Sequence, residues 1–282
     1  MKKLCVALLA IMLAGCSSKL AYNNLDWLVY WYMDDYVELT DHQEKVFDRH
    51  LQRWINWHRN EELNHYIAQL QTIRTDITED RLTPQVINDH LEKATAHWIR
   101  LREEIAPELA QLATTLNDEQ VIRLFAALEE DNKEEEEEYR ERMQEPEEER
   151  LEQRIDDMTD NLEDRIGELS DQQKRIIKRY APQYASTFGD WITYRRNIQN
   201  AGRKLFILRD SNPAFTDELV TVMSNPDNYR SPDYQLKRQQ NRELYTKMIA
   251  EIASTFTAAQ KRHLITELDE MVADLEDLLD HA

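Results

Sequence analysis

The sequence predicts an all-α protein of long antiparallel helices, an extended bundle built from two duplicated halves. Three observations carry this. Only 4 glycines occur among 282 residues, against many Glu, Gln, Leu, Ala and Arg, which lose least on entering a helix. Apolar residues recur three and four apart, as in Val46, Phe47, Leu51, Trp54 and Ile55 or Leu264, Leu268, Met271, Val272, Leu275 and Leu279; that is the period of an amphipathic helix. A short phrase, an apolar residue, then Thr, Asn or Ser, two residues and Gln, occurs at 39–43, 116–120, 169–173 and 256–260. No run alternates in the manner of a strand.

From the N-terminus, Lys2 and Lys3 precede an apolar run from Leu4 to Ala14, and Leu13-Ala14-Gly15-Cys16 follows. A basic start, a short apolar stretch and small residues describe a secretory signal over residues 1–15. The run is too short to span a bilayer, which takes about 20 residues. Leu-Ala-Gly-Cys resembles the lipobox of bacterial lipoproteins. That resemblance implies cleavage before Cys16 and lipid on Cys16, with Ser17 rather than Asp next, the pattern of lipoproteins sent to the outer membrane and facing the periplasm. Cys5 leaves with the signal, so the mature chain has no disulfide and no thiolate metal site. Loss of Lys2 and Lys3 takes the formal charge from −20 to −22. Such a chain repels phosphate backbones, so nucleic acid is not expected as a partner.

Residues 16–38 form a lipidated, aromatic-rich segment. Tyr22 to Tyr36 holds two Trp and four Tyr. Such side chains fill the end of a bundle or sit at a membrane interface; Asp26, Asp34 and Asp35 favour packing, with Trp27 and Trp31 near head groups as the other reading.

Half one is 39–145 and half two 146–282. In the repeated phrase, Thr40 with Gln43, Asn117 with Gln120, Ser170 with Gln173 and Thr257 with Gln260 fit a capping box, each worth about 1 kcal/mol. Thr83-Pro84 and Ser231-Pro232 read as N-caps followed by proline in the first turn. Helix breaks are expected at Pro84, Pro107, Pro146, Pro182, Ser211 to Pro213, and Asn225 to Pro232. Trp54-Ile55-Asn56-Trp57-His58-Arg59-Asn60 matches Trp191-Ile192-Thr193-Tyr194-Arg195-Arg196-Asn197, and Leu112 to Asn117 matches Ile252 to Thr257. These matches fall in the same order and point to duplication.

Between the caps, Glu129 to Ser170 carries 20 acids and 6 bases, while Lys174 to Arg209 carries 9 bases and one acid. An acidic arm lying beside a basic arm accounts for both, with Pro146 bending the acidic one. Glu136–Arg140 and Glu138–Arg142 have the spacing of helical ion pairs.

Glu62 and His65 have the Glu-x-x-His spacing of di-iron bundles, but no second copy exists. His50, His58 and His65 read as core-edge histidines, and no metal or cofactor is expected. With no Gly-rich loop and no nucleophile elbow, neither is an enzyme.

The repeated phrase resembles the LTxxQ motif of the Spy/CpxP family of small periplasmic helical proteins. That resemblance implies an ATP-independent chaperone or stress-sensing role, and a cradle for clients. With YNNLDWL after the lipobox and LTDHQ soon after, the chain is also similar to an uncharacterised family of proteobacterial lipoproteins. The expected function is protein binding of a chaperone-like kind, with Trp54, Trp57, Trp191 and Tyr194 as candidate contact residues. Expected partners are the membrane, through the lipid anchor, and envelope proteins or unfolded clients. The alternative is a structural adaptor for one envelope partner, held by the acidic 129–170 arm.

Overall fold

The computed structural model of the chain describes residues 22–280. α1 covers Leu25–Met33, α2 Asp41–Trp57, α3 Leu63–Thr78, α4 Pro84–Ala113, α5 Asp118–Arg142 and α6 Glu147–Ile166. α7 covers Asp171–Tyr180, α8 Phe188–Leu208, α9 Phe215–Ser224, α10 Pro232–Ala253 and α11 Ala258–Asp280. No strand occurs among the described residues, so the fold class is all-α. Residues 1–15 and Cys16 lie outside the described residues.

Local sequence sets the helix starts. Thr40, Asn117 and Ser170 each close a reciprocal capping box with the glutamine three residues on. Thr257 and Gln260 do the same at 3.0 and 3.1 Å. Thr83 and Ser231 cap α4 and α10, with Pro84 and Pro232 in the first turn. The breaks expected at Pro146, Pro182 and Ser211 to Pro213 fall between α-helices, and that at Asn225 to Pro232 ends on the first residue of α10.

The break expected at Pro107 does not occur, because α4 runs straight through it. A mid-helix proline costs about 3 kcal/mol. Its neighbours offset that cost: Ile105, Leu109 and Leu112 pack with α2, and Ala110 packs with Phe206 and Phe215. A second departure is a π-helical turn, His58–Glu62, joining α2 to α3.

Packing is reciprocal. α4 lies on α2 through Phe47, Leu51, Trp54 and Leu112. α10 lies on α7 through Ile176, Ile177, Met248 and Ile252. The last helix of each half crosses to the other half. α5 packs on α8, with Phe125 edge-on to Phe206 and against Gly202. α11 packs on α3, where Leu63 and Leu278 share a buried cluster and Arg74 reaches Asp269 at 2.6 Å. Arg209–Asp118 and Lys261–Asp80 pair at the other end of each contact.

The acidic and basic stretches do lie side by side. Arg196 of α8 grips Glu129 and Glu136 of α5 at 2.9 and 2.7 Å. On the other side of the bend at Pro146, α6 packs on α7, where Lys174 meets Glu163 at 2.9 Å. Glu136 therefore pairs across helices with Arg196, whose planar fork can hold two carboxylates at once, in place of the Arg140 that helical spacing suggests.

The two tryptophan phrases have different settings. Residues 54–60 span the end of α2 and the π-turn, whereas 191–197 lie inside α8. Trp54 is buried and Trp191 half-buried. These phrases do not establish a duplication.

Candidate functional sites

The cap glutamines do more than cap. Gln43 Nε2 donates to Gln120 Oε1 at 3.1 Å, and Gln120 Nε2 donates back to Gln43 Oε1 at 2.7 Å. Each amide also donates to the loop carbonyl before its partner's cap, Gln43 to Thr115 at 2.8 Å and Gln120 to Glu38 at 2.7 Å. Gln173 and Gln260 form the same pair at 3.0 and 2.9 Å. Gln260 donates to the Glu168 carbonyl at 2.9 Å and Gln173 to that of Thr255 at 3.5 Å. All four side chains are buried. A glutamine amide has two donors and an oxygen with two lone pairs, and every one is used. A glutamate could close the capping box but has no proton for the bridge. The phrase thus fastens two helix starts together, which explains a choice of Gln that capping alone leaves open.

The π-turn carries a buried polar cluster. Glu62 is 0% exposed. Arg100 holds it with two bonds, Nε to Oε2 at 2.8 Å and Nη2 to Oε1 at 2.6 Å. His97 places Nδ1 2.5 Å from Glu62 Oε1 and Nε2 2.6 Å from Gln69 Oε1. One turn away, His58 lies between the hydroxyls of Tyr22 at 2.9 Å and Tyr66 at 3.3 Å. Burial pushes the His58 pKa down to about 4, and also holds His97 below the ordinary histidine range. Burial by itself would raise Glu62, but bonds from Arg100 and His97 outweigh it and hold the carboxyl low. π-turns and shifted titratable groups often mark functional sites. Here Glu62 and His97 spend their polar atoms on neighbours, so the cluster locks the α2–α3 rod to α4. The Glu-x-x-His spacing does not converge: Glu62 is in the core and His65 is exposed. Among the described residues no group of three or more His, Cys, Asp or Glu could hold a metal ion.

Of the four residues expected to contact proteins, Trp54 offers no surface. It is 6% exposed, edge-on to Phe47 and stacked with His50, because α2 turns that face to α4. Trp57, Trp191 and Tyr194 are half-buried. Trp191 meets Phe188 and carries the Arg195 guanidinium 4.8 Å above its ring. Tyr194 lies between Tyr234 and Arg230. Beside them, a shallow groove between α5 and α8 is lined by Tyr139, Phe188, Ile192 and Met143 together with Arg140 and the paired Glu136 and Arg196.

The aromatic segment divides its faces. Tyr30 meets Phe47 edge-on and donates to Asp48 at 2.7 Å, with Val29 and Met33 in the same contact. That face packs on α2, as the acids suggested. Trp27 and Trp31 are turned away from that contact: they are 62% and 50% exposed. No helix among the described residues is long and apolar enough to cross a membrane.

These features define an all-helical protein whose helix starts are fastened in pairs by buried glutamines. Residues 35–235 match the model of a family of unknown function, DUF6279, and the chain belongs to that family. The matched span contains the whole Gln43–Gln120 junction and the first member of the second. No curated protein and no solved structure matches the chain.

Proposed function

We propose that this chain is a lipoprotein of the outer membrane, held by acyl groups on Cys16 and facing the periplasm, which binds other polypeptides and does no chemistry of its own. The observation that carries the reading is the set of large apolar side chains left on a strongly acidic exterior. Trp98, Ile99, Ile122, Ile207 and Leu208 are each more than a third exposed. Scattered apolar residues are ordinary on a surface, but an exposed tryptophan is a strong contact residue. The groove between α5 and α8, lined by Tyr139, Phe188 and Ile192, offers the same chemistry in concave form. A client segment with exposed apolar side chains finds contacts there, while the net charge keeps the complex dispersed.

The LTxxQ-like phrases support kinship with the Spy/CpxP proteins. The two matching glutamine junctions support reading the halves as copies of one helical unit, and the unlike settings of the tryptophan phrases count against a strict repeat.

The non-lipidated chain should suppress aggregation of a chemically denatured test protein. No protection at several-fold molar excess would remove the chaperone-like reading. Cross-linking in intact cells then separates the alternatives. Many unrelated partners fit a holdase, and one dominant partner captured through 129–170 fits an adaptor.

A further inference from the structure

We propose that the outward face of α1, carrying Trp27 and Trp31, rests in the head-group layer of the bilayer that anchors the chain. The inference rests on the reading of Cys16 as the lipidated residue and adds to it a defined contact between folded protein and lipid.

The argument starts with reach. Cys16 precedes Tyr22 by six residues, and a chain of that length spans at most about 20 Å. Tyr22 is fixed to the body: it is buried, 2.9 Å from His58 Nδ1, with the Arg59 guanidinium over its ring. The bundle therefore cannot stand far off the membrane. α1 follows at once and is itself held, through Tyr30 to Asp48 at 2.7 Å and through Tyr36 to Asp131 at 2.7 Å. Its free face presents Trp27 and Trp31, one turn apart, with ring centroids 6.4 Å apart and planes 16° from parallel. Two amphipathic rings, rigidly presented within a short tether's reach of lipid, suit the interface, where tryptophan is enriched. The tether supplies a high local concentration, so a contact too weak to recruit the chain can still orient it. Asp26 and Asp35, both exposed, and the net charge of the chain select a zwitterionic surface over an anionic one.

The test couples residues 16–282 through Cys16, the one thiol of that span, to a maleimide lipid in phosphatidylcholine vesicles brominated in the upper acyl chain. Tryptophan emission of the native chain should be quenched, and quenching should be lost in W27A/W31A with the helical circular dichroism unchanged. It should weaken when phosphatidylglycerol replaces half of the lipid. Quenching that persists in W27A/W31A, or its absence from the native chain, overturns the inference. So does a Trp27–Trp31 pair that only an added envelope protein shields from iodide, which would assign the face to a protein. Mass spectrometry of the cell-derived chain is the separate arm: an unacylated Cys16 overturns the anchoring reading itself, while acylation without quenching overturns this inference alone.

Discussion

At the scale of single residues, the paired glutamines link sequence to stability most directly. Replacing Gln173 with Ala removes its N-cap acceptor and leaves Gln260 without one donor and one acceptor (bonds at 3.0 and 2.9 Å), a loss of about 1–3 kcal/mol. Gln173→Glu should cost more at pH 7, about 3–5 kcal/mol, because a buried carboxylate would face the Gln260 oxygen without a proton between them. The penalty should ease as pH falls and the carboxyl takes up that proton. Urea midpoints of the two variants at pH 7 and pH 5 check both statements. His58 gives a second pH signature. Its folded pKa, about 4, lies below the unfolded value of 6.5, so the unfolded chain binds the proton more readily. Stability is therefore full above pH 6.5 and declines as pH falls towards 4, by up to about 3 kcal/mol. His58→Gln keeps a group able to meet both tyrosine hydroxyls and should flatten the urea midpoint against pH over that range. The four capping boxes were legible because a box is a four-residue event. Their pairing was not, since nothing in a local pattern says that Gln43 meets a side chain 77 residues away.

At the scale of elements, turn chemistry and apolar period located most helix ends, and packing decided the exceptions. Pro107 predicts a break because local sequence shows a lost hydrogen bond but not the contacts of Ala110 and Leu112 that offset it. The π-turn had no local signal at all; it is visible only through the buried Glu62 that it delivers to Arg100 and His97. Trp54 belongs to an apolar stripe and is also a candidate contact residue; the structure gives it to the stripe, because the face it occupies is the one α4 covers. Two glycines give opposite predictions. Gly202 is buried within α8, and an added Cβ would meet Phe125 at 3.6 Å, an ordinary contact. Gly202→Ala should therefore stabilise the chain, by up to about 1 kcal/mol from helix propensity. Gly167 ends α6 at φ 79 and ψ −172, a region essentially closed to other residues. Gly167→Ala should cost about 1–3 kcal/mol. Thermal midpoints of the two variants should move in opposite directions.

At the scale of the whole molecule, residues 39–145 and 146–282 depend on each other, because their last helices are exchanged and α4 lies on α9 and α10. α5 finds its partner in α8, and α11 finds its partner in α3. Each glutamine junction, by contrast, closes within one half, 43 with 120 and 173 with 260. A fragment covering 22–145 would keep its junction and the α2–α4 contact but would expose Phe125, which packs against Phe206 and Gly202 in the intact chain. Leu63 would likewise lose Leu278, and Arg196 would no longer neutralise Glu129 and Glu136. Helix propensity survives such a cut, because it is local, but cooperative packing does not. The fragment should thus keep much of its far-ultraviolet circular dichroism and unfold with a shallow urea dependence, since it buries less surface to re-expose. Mixed with 146–282, it should regain the steep transition of the intact chain, and the two pieces should co-elute on a sizing column. A fragment that unfolds alone as steeply as its length allows would mean that the crossed contacts add little. The helical unit would then be the half itself rather than the interlocked pair.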